Sequence, residues 1–208
     1  MTILTYAAWT AFCFLCGSLM FSYWIGLFAN KNVREHGDGN PGALNLWKAA
    51  GFGYGLAGIA FDSLKGYVPV LLLVHSGQAA GYGLVLPSAA ALLGHMFSPF
   101  LRGKGGKAIA VTFGVWSALT GFAATLAYAV ILALLLLGGR LIRSGKPSTP
   151  RADGFQVVLG MLLLTVCVLV FGGSDALPLA AFGLVNFLLL AYAHRRELRA
   201  LIRIKRLG

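Results

Sequence analysis

Acidic side chains are nearly missing from this chain: six Asp and Glu stand against seventeen Lys and Arg in 208 residues, a formal net charge of +11. Charge of either sign is scarce at 11%, against 58% hydrophobic residues, and that balance excludes an ordinary soluble domain. Cysteine is scarce as well. Cys13, Cys16 and Cys167 all lie inside apolar runs with no further Cys or His pair beside them, so they read as small packing residues and not as a zinc or redox centre. No cluster of His, Cys and carboxylate has ligand spacing, so no metal and no organic cofactor is expected. The nucleotide P-loop spacing is absent. Residues 1–27 lack the basic start of a secretory leader and carry too long an apolar run, so they read as a first transmembrane helix.

What the chain does have is positive charge in four tight groups. Lys31, Arg34 and Lys48 form one, and Arg102, Lys104 and Lys107 a second. Arg140, Arg143, Lys146 and Arg151 form a third, and Arg195 to Arg206 carries six more. Long apolar runs separate them, and the intervening turns at 76–81, 117–121 and 172–177 contain no Lys or Arg. Cations collect in cytoplasmic loops because translocating them is costly and anionic lipid attracts them. Basic residues set beside apolar spans point to an anionic lipid surface, not to nucleic acid.

A helix needs about 20 apolar residues to cross about 30 Å of hydrocarbon. Candidate spans are 3–28, 51–75, 82–100, 154–171 and 178–193, the last two short but adequate with tilt. The run 108–139 has basic flanks on both sides, so it must go out and return, turning near Ser117, Thr120 and Gly121 to give spans 108–120 and 121–139. The expected fold is an all-α polytopic membrane protein of seven transmembrane helices. Its N-terminus is outside, its C-terminus is cytoplasmic, and a single membrane domain covers residues 1–208.

Three cytoplasmic segments carry the chemistry. Residues 37–45 hold three glycines, one proline and two asparagines, a tightly turned stretch beside Arg34. It serves equally as a helix-linking turn or as an anion-binding loop in which Asn40, Asn45 and Arg34 supply donors. Lys104-Gly105-Gly106-Lys107 precedes an apolar helix, and bare amides, a helix N-terminus and two ammonium groups make a phosphate cradle. Ordinary flanking charge accounts for those lysines but not for the glycines between them. Asp62 and Lys65 share one face of the second span, where charges at membrane depth line a functional cavity or pair structurally; Lys65 is also available to phosphate. His194 closes the last span, and Arg195, Arg199, Arg203 and Arg206 recur at helical spacing, as in an interfacial helix on anionic lipid.

These segments resemble the bacterial integral-membrane glycerol-3-phosphate acyltransferases that use acyl phosphate (PlsY-type). The first-loop pattern R-x-x-G-S-G-N-x-G-A-T-N stands here as Arg34 through Gly37-Asp38-Gly39-Asn40 to Gly42-Ala43-Leu44-Asn45. The pattern G-H-x-F-x-x-F-x-x-x-K-G-G-K runs from Gly94-His95 to Lys104-Gly105-Gly106-Lys107, and the terminal H-R-x-N-I is His194-Arg195-Arg196-Glu197-Leu198. Asp62 through Lys65-Gly66 is similar to a D-x-x-K-G element, and Gly17-Ser18 to a first-helix Gly-Ser. Three positions depart: the pattern's serine is Asp38, its threonine Leu44 and its asparagine Glu197. A carboxylate beside a dianionic substrate repels it unless basic neighbours compensate.

The resemblance implies transfer of a fatty acyl group from acyl phosphate to the 1-hydroxyl of glycerol 3-phosphate. The products would be lysophosphatidic acid and phosphate, made at the bacterial inner membrane for phospholipid biosynthesis. It places His194, Arg34 and Asp38 in catalysis. It gives substrate or phosphate contact to Asn40, Asn45, Lys65, Lys104, Gly105, Gly106, Lys107, Ser18 and His95. Two other readings stand beside it. One is a diverged or inactive paralogue with another acceptor. The other is a small transporter switching on Asp62 and Lys65, which calls for paired half-repeats that are not evident.

Overall fold

In a computed structural model, which describes residues 2–204, every regular element among the described residues is a helix. Its helices are α1 (Ile3–Ser18), α2 (Phe21–Phe28), α3 (Ala43–Ala50), α4 (Phe52–His75), α5 (Val85–Met96), α6 (Ile109–Thr120), α7 (Ala123–Ile142), α8 (Pro150–Phe171), α9 (Ala176–Ala193) and α10 (Arg195–Ile204). Six stretches are long and apolar enough to cross a bilayer: Ile3–Phe28, Phe52–His75, Gly81–Leu101, Ala123–Ile142, Pro150–Phe171 and Gly173–Ala193. Helix α6 is apolar but short, about 18 Å at 1.5 Å per residue. The basic tail forms α10 as its spacing suggests, while Arg206 lies outside the described residues.

Helices pack most closely as α4 on α6, α1 on α5 and α8 on α9. Lipid gives no hydrophobic drive between helices, so close van der Waals packing has to supply it, and small residues permit that. Gly17 lies on the backbone of Ala91 and Gly94 on that of Phe14, while Gly114 meets the Ser63 carbonyl; any added Cβ there would collide. Buried polar groups add directional links. Trp116 Nε1 donates to Asn186 Oδ1 at 3.0 Å, and Asn186 Nδ2 donates to Thr112 Oγ1 at 3.2 Å. Helix α7 is the outlier, with only Ala124 and Tyr128 buried, so its surface faces lipid.

The run 108–139 divides near Gly121 into α6 and α7, with Gly121 and Phe122 both left-handed at the turn (φ 54° and 71°). One departure from the expected spans shapes the site. The first span is broken where one continuous helix was expected. Leu19 and Met20 leave helical geometry between α1 and α2, stranding the carbonyls of the preceding turn. Ser98 Oγ donates to Ser18 O at 2.7 Å, and Lys65 Nζ donates to Leu19 O. Lys65 also pairs with Asp62 at 2.8 Å, and Ser22 Oγ donates to the other Asp62 oxygen.

Candidate active site

One end of the bundle carries a polar cavity of about 450 Å³, and three distant stretches of sequence meet in it. The first brings Arg34, Asp38, Gly39, Asn40 and Pro41, the second Gly103 to Lys107, and the third Ala193, Arg195, Arg196 and Glu197. Met96, Phe97 and Tyr192 form its apolar wall, the last two rings 5.8 Å apart.

The first stretch is shaped by its own side chains. Asn32 Oδ1 accepts from the Arg34 amide at 3.2 Å and opens a short 3-10 turn, Val33–Glu35. Gly37 and Gly39 then take positive φ (59° and 76°), which lets the chain double back. Asn45, buried on α3, donates to Asp38 Oδ1 at 2.8 Å and to Asn40 O at 3.0 Å. Its amide therefore braces the loop, and Asn45 is not among the residues that line the cavity.

The second stretch is stitched to α5. The Gly105 amide donates to Met96 O at 3.1 Å and the Gly106 amide to His95 O at 3.0 Å. The two amides expected to be bare are therefore committed to carbonyls. These glycines serve close approach: a Cβ at Gly105 would overlap His95 O, and one at Gly106 would overlap His95 Nε2. His95 is accordingly a buried support beneath the loop and not part of the lining. Ser18 is buried too, its Oγ donating to Phe14 O at 2.7 Å. Lys65 is likewise off the lining, its ammonium held by Asp62 and Leu19 O.

Polar bonds cross between the stretches. Arg34 Nη2 donates to Lys104 O at 2.7 Å, and its guanidinium lies 5.2 Å from the Tyr23 ring centre. Lys107 Nζ reaches Asp38 Oδ2 at 2.6 Å and Glu197 Oε1 at 2.5 Å. Burial alone would raise the Asp38 carboxyl, but hydrogen bonds from Lys107 and Asn45, with the Lys107 charge, hold it down to about 2. Burial would raise Glu197 as well, yet Lys107 keeps it below its ordinary value. Desolvation would lower Lys107, and the two carboxylates hold it above. At neutral pH all three are charged.

His194 caps α9 and is buried behind the cavity wall, its ring against Gly154 of α8. Neither ring nitrogen has a hydrogen-bond partner among the described residues. Burial, with Lys107 nearby, drives its imidazole down to about 4 against the pull of Glu197 and Asp38, so the ring is neutral at pH 7. Arg195 and Arg196 do line the cavity, whereas their place in the basic tail suggested only lipid contact. Arg195 stacks on Tyr192, 4.1 Å from the ring centre, and donates to Tyr192 O at 2.8 Å. Their position directly after His194 was the available signal.

A helical membrane bundle with five cationic side chains around one polar end defines a protein that handles anionic groups at the bilayer surface. The chain belongs to the glycerol-3-phosphate acyltransferase family, whose model matches residues 7–204. It is 39% identical over 190 residues to glycerol-3-phosphate acyltransferase 1 of Thermotoga maritima, covering 89% of this chain and 92% of that one. It is 34% identical over 194 residues to the enzyme of that name from Maridesulfovibrio salexigens, covering 93% and 91%. Among solved structures, it is similar to PlsY (YgiH), an integral membrane glycerol 3-phosphate acyltransferase, in its glycerol 3-phosphate form. That match has a TM-score of 0.76 at 27% identity and covers 96% of this chain and 92% of that chain. The lysophosphatidic acid form matches with a TM-score of 0.78 at 25% identity and the same coverage. The protein is an acyltransferase and a multi-pass protein of the bacterial inner membrane.

Proposed function

We propose that the protein moves a fatty acyl group from acyl phosphate to the 1-hydroxyl of glycerol 3-phosphate, releasing lysophosphatidic acid and phosphate. The observation that carries this is the convergence of Arg34, Lys104, Arg195 and Arg196 from three stretches on one cavity with an apolar wall. Arg34 and Lys104 hold phosphate oxygens by charge-assisted hydrogen bonds, with Asn40 beside them. The acyl chain runs out past Met96, Phe97 and Tyr192 into lipid. The hydroxyl oxygen bonds to the acyl carbon, the bond from that carbon to the phosphate oxygen breaks, and inorganic phosphate departs.

The hydroxyl proton needs an acceptor. Asp38, held down to about 2, is a weak base, so in this reading it does not take the proton. His194 at about 4 is also weak and sits behind the cavity wall, so it positions that wall and does not take the proton. The proton leaves on the departing phosphate, far more basic than either side chain once expelled. Orientation and electrostatics then supply most of the rate. Purified protein in lipid, given acyl phosphate and glycerol 3-phosphate, releases phosphate and lysophosphatidic acid. Silence across all chain lengths refutes the activity. Lys104→Ala raises KM for glycerol 3-phosphate about tenfold or more, and unchanged kinetics remove it from phosphate binding.

The same reading orders the chain as seven crossings, with α6 the short one, the N-terminus outside and the cavity cytoplasmic. The support is that every cationic loop falls on the cavity side of the helix alternation. Cysteines placed at Gln78 and Asp175 are labelled by an impermeant thiol reagent from outside, and one at Asp38 is not. Labelling at Asp38 inverts the topology. Anionic lipid under the basic face of α10 completes the arrangement.

A further inference from the structure

Lys107 makes two short ion pairs to residues that come from different parts of the chain. Asp38 lies on the first loop and Glu197 in the first turn of α10, and each places one oxygen within 2.6 Å of the same ammonium. The second oxygen of Asp38 is taken up by Asn45 Nδ2 at 2.8 Å and by the Asn40 amide at 3.2 Å. Lys107 thus has two of its three donors engaged, and with its partners it forms a unit of net charge −1. Such a unit offers a phosphate dianion no attraction. It does fix three stretches against one another at the mouth of the cavity, with Glu197 one helical turn beyond His194.

We propose that Lys107 is a positioning residue and not a phosphate ligand: with Asp38 and Glu197 it forms a clasp that sets the first loop and α10, and through α10 His194, around the substrate. The phosphate groups fall to Arg34, Lys104 and the two arginines of α10. The clasp also sets how strongly the cavity holds anions. The lining carries five cationic and two anionic side chains, a net +3 that would be +5 with neutral partners at 38 and 197. Asp38 and Glu197 are then a reciprocal pair, each tolerable beside substrate only while Lys107 stands between them.

The inference rests on the acyltransfer reading, and the test keeps the two apart. Lys107→Met, the pair Asp38→Asn with Glu197→Gln, and the triple variant are made in the full-length protein. Each is assayed for kcat, for KM with glycerol 3-phosphate and for thermal melting. Lys107→Met alone leaves two bare carboxylates facing each other, lowering kcat/KM about 30-fold and reducing the melting temperature. In the neutral-pair background the same substitution costs about threefold at most and leaves melting unchanged. The neutral pair by itself lowers KM for glycerol 3-phosphate several-fold, roughly as removing two nearby anions should. Lys107→Arg keeps the clasp and restores melting. If Lys107→Met costs the same factor in both backgrounds, Lys107 touches substrate directly and the clasp is refuted. Melting needs no turnover, so an inactive wild-type protein would sink the acyltransfer reading while the clasp is still decided by that arm.

Discussion

Gly105→Ala is expected to cut phosphate release by about two orders of magnitude, although it removes no charge and no donor. The added Cβ would overlap the His95 carbonyl and lie 2.8 Å from Met96 C and O. These atoms belong to the end of α5, and a helix backbone does not yield as a flexible side chain would. The loop must lift instead, breaking the Gly105 bond to Met96 O and moving Lys104, whose carbonyl holds Arg34. A shift of about 1 Å in positioned groups costs on the order of 100-fold in rate. Gly138→Ala is the control, since a Cβ there meets nothing within 4 Å. Initial rates and melting curves on both variants decide the matter. A Gly105→Ala enzyme with wild-type rates would mean that the loop's seat on α5 is irrelevant to the reaction.

Lys65→Met is expected to destabilise the protein by about 3–5 kcal/mol, the usual cost of removing one partner from a buried pair. Asp62 would be left charged and shielded from water, and the Leu19 carbonyl would lose its donor at the break between α1 and α2. In detergent the midpoint of thermal unfolding should fall by about 10 °C. Adding Asp62→Asn should recover most of that loss, because a neutral amide is far cheaper to bury than an unpaired carboxylate. A melting curve unchanged by Lys65→Met would show that the pair carries no part of the helix break. Loss of activity with intact melting would instead return Lys65 to the substrate.

The sequence announces the loops far better than it announces their wiring. Arg34, Lys104 and Arg195 could be placed on one side because cation sorting by the bilayer is a property of short segments. The turn at Gly121 was legible for a similar reason, since basic flanks on both sides demanded a return. Nothing local marks Lys107 as the partner of Asp38 and Glu197, which lie 69 and 90 residues from it. The break at Leu19–Met20 was hidden because the surrounding residues are apolar and contain no proline. Only the neighbouring Gly17 and Ser18 hinted that something there must come close. Gly105 and Gly106 showed that side chains were unwelcome, but not that α5 was the reason. That His194 and His95 are buried could not be read, because a lone histidine carries no sign of its depth.

The bond from Arg34 to the Lys104 carbonyl has a thermodynamic corollary for ligand capture. With the rim tied together by the protein's own bond, arriving substrate immobilises few side chains and little backbone. Most of the ordering penalty has been met during folding, so association should show a small entropy loss and a rate set mainly by diffusion along the membrane surface.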